Sequence, residues 1–86
     1  MQFFFTKIAK KQWKKFSPDI RDFLKMKINE YKLKPELFEQ NLKKVVNLEP
    51  ADFRLKISNY RFLLKTDFDE NIHTVLKCGH RRDIYK

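Results

Sequence analysis

Apolar and polar positions change period along this chain, and each period assigns an element. Phe3, Phe4 and Phe5 are β-favouring residues in a row and predict a short strand. From Lys7 the spacing turns helical. Ala9, Trp13 and Phe16 recur on one side, with Lys10, Lys11, Lys14 and Lys15 on the others. Ser17-Pro18-Asp19 then marks a fresh helix start: Ser is a preferred N-cap, Pro is tolerated in the first turn, and Asp suits the positive end of the helix dipole. Ile20, Phe23, Leu24, Ile28 and Tyr31 keep helical spacing as far as Lys34, so the two helices are expected to pack as a hairpin. Pro35 stops the second, because its ring cannot continue a helix. Pro35-Glu36-Leu37-Phe38 allows a short helical turn, and Leu42 to Val46 a strand or a loop, closed by Pro50.

Beyond Pro50 the period becomes two. Phe53, Leu55 and Ile57 alternate with Arg54 and Lys56. After Ser58-Asn59, residues Tyr60, Phe62 and Leu64 alternate with Arg61, Leu63 and Lys65. Asp67 to Asn71 reads as an acidic turn, after which Ile72, Thr74, Leu76 and Cys78 alternate with His73, Val75 and Lys77. With Ser58-Asn59 as a two-residue loop, Ile57 faces Tyr60, Leu55 faces Phe62 and Phe53 faces Leu64. All six then lie on one face, which would pack on the helices. The same register sets Lys56 opposite Arg61 and Arg54 opposite Leu63. Like charges in that position cost stability unless an anion lies between them. These residues therefore read either as a solvated outer face or as a phosphate clamp.

The expected fold is α+β. It has a short N-terminal strand, a two-helix hairpin, and an antiparallel sheet of three or four strands packed on the helices. The chain has 86 residues, which allows one domain over 1–86 and no second core. Its single Cys excludes a disulfide framework and a Cys-based zinc site, and fits a reducing cytoplasm. The run Phe3-Phe4-Phe5 is too short for a signal peptide or a membrane span. Neither a repeat nor a low-complexity segment is present. Twenty Lys+Arg against eleven Asp+Glu leave a charge of +9, which calls for a polyanionic partner. The sole glycine, Gly79, ends the last strand, where a glycine usually marks a backbone angle or a close approach that other residues cannot accept. It opens the segment Gly79-His80-Arg81-Arg82-Asp83-Ile84-Tyr85, in which Ile84 and Tyr85 are large enough to anchor the end back on the sheet.

Three segments carry a resemblance: Phe53-Arg54-Leu55-Lys56-Ile57, Asn59-Tyr60-Arg61-Phe62 and Gly79-His80-Arg81-Arg82-Asp83-Ile84-Tyr85. Together they resemble the RelE/ParE toxin superfamily of toxin–antitoxin systems, and the upstream plan is similar as well, so the likeness spans nearly the whole chain. The RelE branch implies a ribosome-dependent endoribonuclease that enters the A site of the 30S subunit and cuts mRNA. Cleavage there is attack of a ribose 2′-OH on the adjacent phosphate, with no metal and no cofactor. Matched position by position, the resemblance implies Arg54, Lys56, Arg61, Arg81 and Tyr85 as catalytic residues. Arg54 departs from the family's usual Lys, and the chain ends one residue after Tyr85.

Such chemistry needs a base for the 2′-OH, an acid for the 5′-oxygen and positive charge around the phosphorane. Arg61 and Arg54 are the candidates for phosphate stabilisation. Lys56 or Tyr85 is the candidate base, since clustered cations favour a deprotonated neighbour. Arg81 would stabilise the leaving group by its charge, because Arg hardly deprotonates. His80 is a second candidate acid by its intrinsic chemistry, set against a plain tail residue. His73 reads as structural, and Asp67, Asp69 and Glu70 as solvated turn residues. Lys10, Lys11, Lys14, Lys15 and Arg82 are candidates for rRNA contacts. Lys25, Lys27, Lys32 and Lys34 ring the same helices. The resemblance further implies a cognate acidic, RelB-like antitoxin forming a heterocomplex, a cytoplasmic location and no membrane partner. Two alternatives stay open: a ParE-like DNA gyrase inhibitor, which would not keep the full basic and tyrosine set, and a non-catalytic rRNA-binding module, which would bind without cutting.

Overall fold

The computed structural model describes residues Met1–Tyr85. Strand β1 (Gln2–Phe5) leads into α1 (Lys7–Lys15), α2 (Pro18–Leu33) and α3 (Pro35–Gln40), followed by β2 (Leu42–Lys44), β3 (Phe53–Ile57), β4 (Tyr60–Asp67) and β5 (Ile72–His80). The sheet has five strands in the order β1-β5-β4-β3-β2. It is mixed rather than wholly antiparallel, because β1 joins β5 in parallel. The short helical turn allowed at Pro35-Glu36-Leu37-Phe38 forms as α3, and it buries Phe38. Of the doubtful stretch after it, Leu42–Lys44 pairs with β3.

Local chemistry explains the helix boundaries. Thr6 caps α1 by accepting from the Ala9 N–H at 3.2 Å, and its hydroxyl donates to the Leu76 carbonyl at 3.1 Å. Ser17 caps α2 by accepting from the Ile20 N–H, with Pro18 in the first turn. Arg21 Nη1 donates to the carbonyls of Lys14 and Phe16, each at 3.1 Å, so the first turn of α2 closes the last turn of α1. Beyond β1, helix α1 takes over the edge of β5. There the Gln12 side chain accepts from the Cys78 N–H at 2.8 Å.

The β3–β4 register is the expected one, with Ile57 opposite Tyr60 and Lys56 opposite Arg61. Ser58 adopts φ 55° in the connecting turn. Leu55, Ile57, Phe62 and Leu64 pack under Leu24, Ile28, Tyr31 and Phe38 to make the main core. The Tyr31 hydroxyl donates to the Lys56 carbonyl at 2.9 Å, tying α2 to β3.

Strand β5 departs from simple alternation. Leu63 pairs with Lys77 but Leu64 pairs with Val75, so Leu76 is an extra residue on β5. This bulge changes which residues share a face. His73, Val75 and Cys78 face the core, and Leu76 joins a second apolar cluster with Leu63, Ile84 and Ala51. The expected grouping of Ile72, Thr74, Leu76 and Cys78 is therefore corrected by one inserted residue. His73 is structural, as its sequence position suggested. It is 1% exposed, Nδ1 lies 3.1 Å from Thr66 Oγ1, and its ring stands against Phe3 and Phe38. Cys78 is a buried core residue whose thiol burial pushes up to about 12. No helix of the described residues is long and apolar enough to cross a membrane.

Candidate functional site

The face of the sheet turned away from the helices collects the basic residues. Alternation sends Arg54 and Lys56 from β3 and Arg61 from β4 to this face, because Leu55, Ile57 and Phe62 occupy the core side. Arg61 also pairs with Gly79 on β5. Two more lysines share the face. Lys43 on β2 pairs with Arg54, and Lys77 on β5 pairs with Leu63. Sequence reading did not assign them. The strand at Leu42 was open, so Lys43 had no neighbour to fix its side, and Lys77 was grouped by alternation with His73 and Val75, from which the bulge at Leu76 separates it.

The C-terminal turn closes over one end of this face. The Arg81 N–H donates to the Asn59 carbonyl at 2.8 Å, and the N–H groups of Asp83 and Ile84 donate to the His80 carbonyl at 2.8 and 3.1 Å. The chain thus curls beside the β3–β4 turn. Ile84, 5% exposed, is the anchor, and it packs with Leu63 and Ala51. Tyr85 does not anchor: it is 51% exposed. The apolar Leu63 between the basic positions of β4 was the sequence signal for this patch.

Gly79 does not have the role its isolation suggested. Its φ is not positive, and an added Cβ would meet only Ile84 Cδ1 at an ordinary 3.8 Å. The left-handed positions fall instead on Asn47, Ser58 and Asn71.

Arg61 is the centre of the cluster. Its Nη1 donates to the carbonyls of Ser58 and Tyr60, each at 2.9 Å, which holds the guanidinium against the turn. Partial burial lowers its pKa below the usual arginine range. The positive charge of Arg54 lowers it further, Tyr85 opposes this, and Arg81 lowers it again. Arg54, Arg81 and Tyr85 thus all act on one guanidinium. Lys56 stands opposite Arg61 in the ladder and is exposed. Arg54 Nε is buried without a hydrogen-bond partner, an unsatisfied donor beneath a face of like charges. Cations so arranged lower the energy of an anion placed among them, and they provide several N–H donors for its oxygens.

His80 does not join this group. It pairs with Tyr60 on the core side of the sheet, its ring meets the Tyr60 ring edge-on at 5.5 Å, and Nδ1 accepts from the Arg82 N–H at 3.2 Å. Lys10, Lys11, Lys14 and Lys15 are exposed on α1, and Arg82 is exposed in the C-terminal turn. Asp67 accepts from the Glu70 N–H at 3.1 Å in the turn before β5, apart from the basic face. Among the described residues no three His, Cys, Asp or Glu side chains converge on a metal site.

No family model matches the chain, and no curated protein matches it in sequence. Solved structures do match. The chain is similar to a chain of the RelBE2 toxin–antitoxin complex of Mycobacterium tuberculosis, with TM-score 0.67 and 22% identity over 93% of this chain and 96% of that one. It is similar to a chain of the intact RelBE toxin–antitoxin complex of E. coli, with TM-score 0.63 and 25% identity over 91% and 93%. For the RelB–RelE antitoxin–toxin complex of Methanococcus jannaschii the values are 0.65 and 23% over 96% and 95%. The fold is that of the RelE toxins, over more than nine-tenths of both chains in each comparison.

Proposed function

We propose that this chain, which carries the RelE fold, is the toxin of a type II toxin–antitoxin system, a single toxin domain over residues 1–86 that acts as a ribosome-dependent endoribonuclease. Its substrate is mRNA in the A site of the 30S subunit. Its place of action is the cytoplasm, and its partner in the resting state is an acidic, RelB-like antitoxin. The observation that carries this reading is the gathering of Arg54, Lys56 and Arg61 on the open face of the sheet, with the turn that bears Arg81 hung on the Asn59 carbonyl beside them.

The reaction needs no more than proton transfer and charge. The ribose 2′-OH loses its proton and attacks the adjacent phosphate, the bond to the 5′-oxygen breaks to leave a cyclic phosphate, and the departing 5′-oxygen takes up a proton from water to become a 5′-OH. Arg61 and Arg54 bind the phosphate oxygens and stabilise the added negative charge. Nη1 of Arg61 is committed to the turn, and Nε and Nη2 carry no hydrogen bond among the described residues, so they serve the anion. Arg81, held by its backbone to Asn59, supplies charge to the leaving oxygen. Tyr85 and Lys56 are the groups able to take the proton, both exposed beside Arg61. His80, on the other side of the sheet, has no part in this reading. Lys10, Lys11, Lys14, Lys15 and Arg82 bind rRNA phosphates, which makes ribosome binding fall steeply with salt.

The test is to add purified protein to programmed ribosomes and map the ends of the mRNA, with free mRNA as control. Cleavage at the A-site codon on ribosomes, and intact free mRNA, is the expected result. Equal cutting of free mRNA overturns ribosome dependence. Binding with no cut product supports the non-catalytic module instead.

A further inference from the structure

Four successive backbone N–H groups open the C-terminal turn, and each has a partner. Arg81 donates to the Asn59 carbonyl at 2.8 Å, and Asp83 and Ile84 donate to the His80 carbonyl at 2.8 and 3.1 Å. Arg82 donates to Nδ1 of the His80 ring at 3.2 Å. His80 therefore holds three of the four, in the arrangement of a helix cap. Its carbonyl starts the turn, and its side chain accepts from the second N–H beyond it. Asn, Asp, Ser and Thr usually fill that place. Histidine differs from them in one respect: it is the side chain that gains a proton between about pH 5 and 8. A protonated imidazole carries an N–H on both ring nitrogens and accepts from neither. Of the four partners, the one at Arg82 is thus the one that a proton can remove.

The surroundings make that proton unwelcome. Tyr60 is the titratable group that faces the ring from β4, edge-on at 5.5 Å, and Tyr60 in turn meets Phe16 at 5.3 Å. The turn itself carries Arg81, Arg82 and Asp83, and α1 ends on Lys14 and Lys15 just before Phe16. A proton on His80 adds positive charge where basic side chains outnumber acidic ones, and it points a donor at the Arg82 N–H.

We infer that His80 is a positioning residue for the proposed cleavage: its unprotonated Nδ1 caps the turn that carries Arg81, and a proton on that nitrogen releases the cap. His80 takes no part in the chemistry itself and touches neither Arg54 nor Lys56. It acts through the place of Arg81, the residue next to it in the chain. Acidification then lowers cleavage by loosening the turn, apart from any effect on the reacting groups. The effect on cleavage rests on the nuclease reading, while the cap is measured without RNA.

Two variants separate the contacts of the ring. His80→Asn keeps an acceptor in the place of Nδ1, gains no proton in this range and removes the ring. His80→Phe keeps a ring against Tyr60 and removes the acceptor. Each is compared with the unaltered full chain at pH 7.5 and pH 6. The readouts are hydrogen-exchange protection of the Arg81 and Arg82 amides and single-turnover cleavage of A-site mRNA on programmed ribosomes. At pH 7.5 His80→Asn is expected to match the unaltered chain in both, and His80→Phe to lose about fivefold in protection and to cut more slowly. At pH 6 the unaltered chain should lose at least ~twofold in protection and His80→Asn none. The fall in cleavage between the two pH values should likewise be at least ~twofold greater in the unaltered chain than in His80→Asn. Nitrogen chemical shifts of the unaltered chain should place the proton of neutral His80 on Nε2. The reverse order, with His80→Phe intact and His80→Asn impaired, assigns the ring a packing role and overturns the inference. Cleavage lost in His80→Asn with protection retained makes His80 a proton donor in the reaction and overturns it too. A neutral ring protonated on Nδ1 does the same, and that measurement does not depend on how either variant folds. An unaltered chain that cuts no mRNA at either pH contradicts the nuclease reading, and the exchange and nitrogen data then still decide the cap.

Discussion

The Arg81 N–H donates to the Asn59 carbonyl at 2.8 Å, and this bond hangs the C-terminal turn on the same two-residue loop whose Ser58 carbonyl holds Arg61. One loop thus positions cations that lie twenty residues apart in sequence. Arg81 and Arg61 keep their spacing only while the turn stays docked. The docking residue is Ile84.

Ile84→Ala should therefore loosen the turn without unfolding the sheet. Deleting the buried side chain removes about 2–5 kcal/mol of packing where a core is intact, and most of that loss falls here on the docking of residues 81–85. Hydrogen exchange should show the Arg81 amide losing protection while the Leu55 and Phe62 amides keep theirs. Cleavage should fall together with that protection. A variant with an unprotected Arg81 amide and undiminished cleavage would show that the turn's position is irrelevant to chemistry.

Gly79→Ala should be neutral or stabilising, by up to about 1 kcal/mol. The φ at this position suits an L residue, and the new methyl meets only Ile84 Cδ1 at 3.8 Å. Thermal unfolding measures this. A drop of several degrees in Tm would mean that the site needs glycine after all.

His73 sets the pH response between neutrality and mild acid. Burial lowers its pKa in the folded chain, and the N-terminal charge lowers it further. The unfolded chain therefore takes up a proton near pH 6.5 that the folded chain refuses. Stability should be full above that value and decline as the pH falls below it, by at most about 1.4 kcal/mol per pH unit from this residue. Urea midpoints at pH 7.5, 6.5 and 5.5 test the sign. His73→Gln should flatten the slope over that range, and an unchanged slope would place the proton elsewhere.

Tyr85→Phe removes only the hydroxyl from an exposed residue, so folding should be unaffected. If the hydroxyl takes the 2′-OH proton, single-turnover cleavage should fall about 10²- to 10⁴-fold. An unchanged rate assigns the proton transfer to Lys56.

Much of this arrangement was legible because two independent signals agreed. The loop Ser58-Asn59 and the apolar set Phe53, Leu55, Ile57, Tyr60, Phe62 and Leu64 specify the same register, and the register puts Lys56 opposite Arg61. Ser17-Pro18-Asp19 was equally informative, since its capping chemistry is local. What was not legible depends on contacts distant in sequence or on a single added residue. The pairing of β1 with β5 joins Gln2 to Ile72, and no local pattern encodes it. The bulge at Leu76 has no glycine or proline to announce it, yet it moves His73 and Val75 to the core side that Cys78 shares. Ile84 and Tyr85 looked alike as anchors, and only the position of Leu63 under the turn separates them.

The central claim is that the cations gathered around Arg61 perform the chemistry. Arg61→Ala tests it most directly, with single-turnover cleavage of A-site mRNA on programmed ribosomes as the readout and a thermal melt as the check on folding. Removing a donor aimed at developing charge typically costs about 10²- to 10³-fold. The expected result is a rate at least ~100-fold below that of the unaltered chain, with a melt close to it. A folded Arg61→Ala protein that cuts A-site mRNA at the full rate would contradict the assignment.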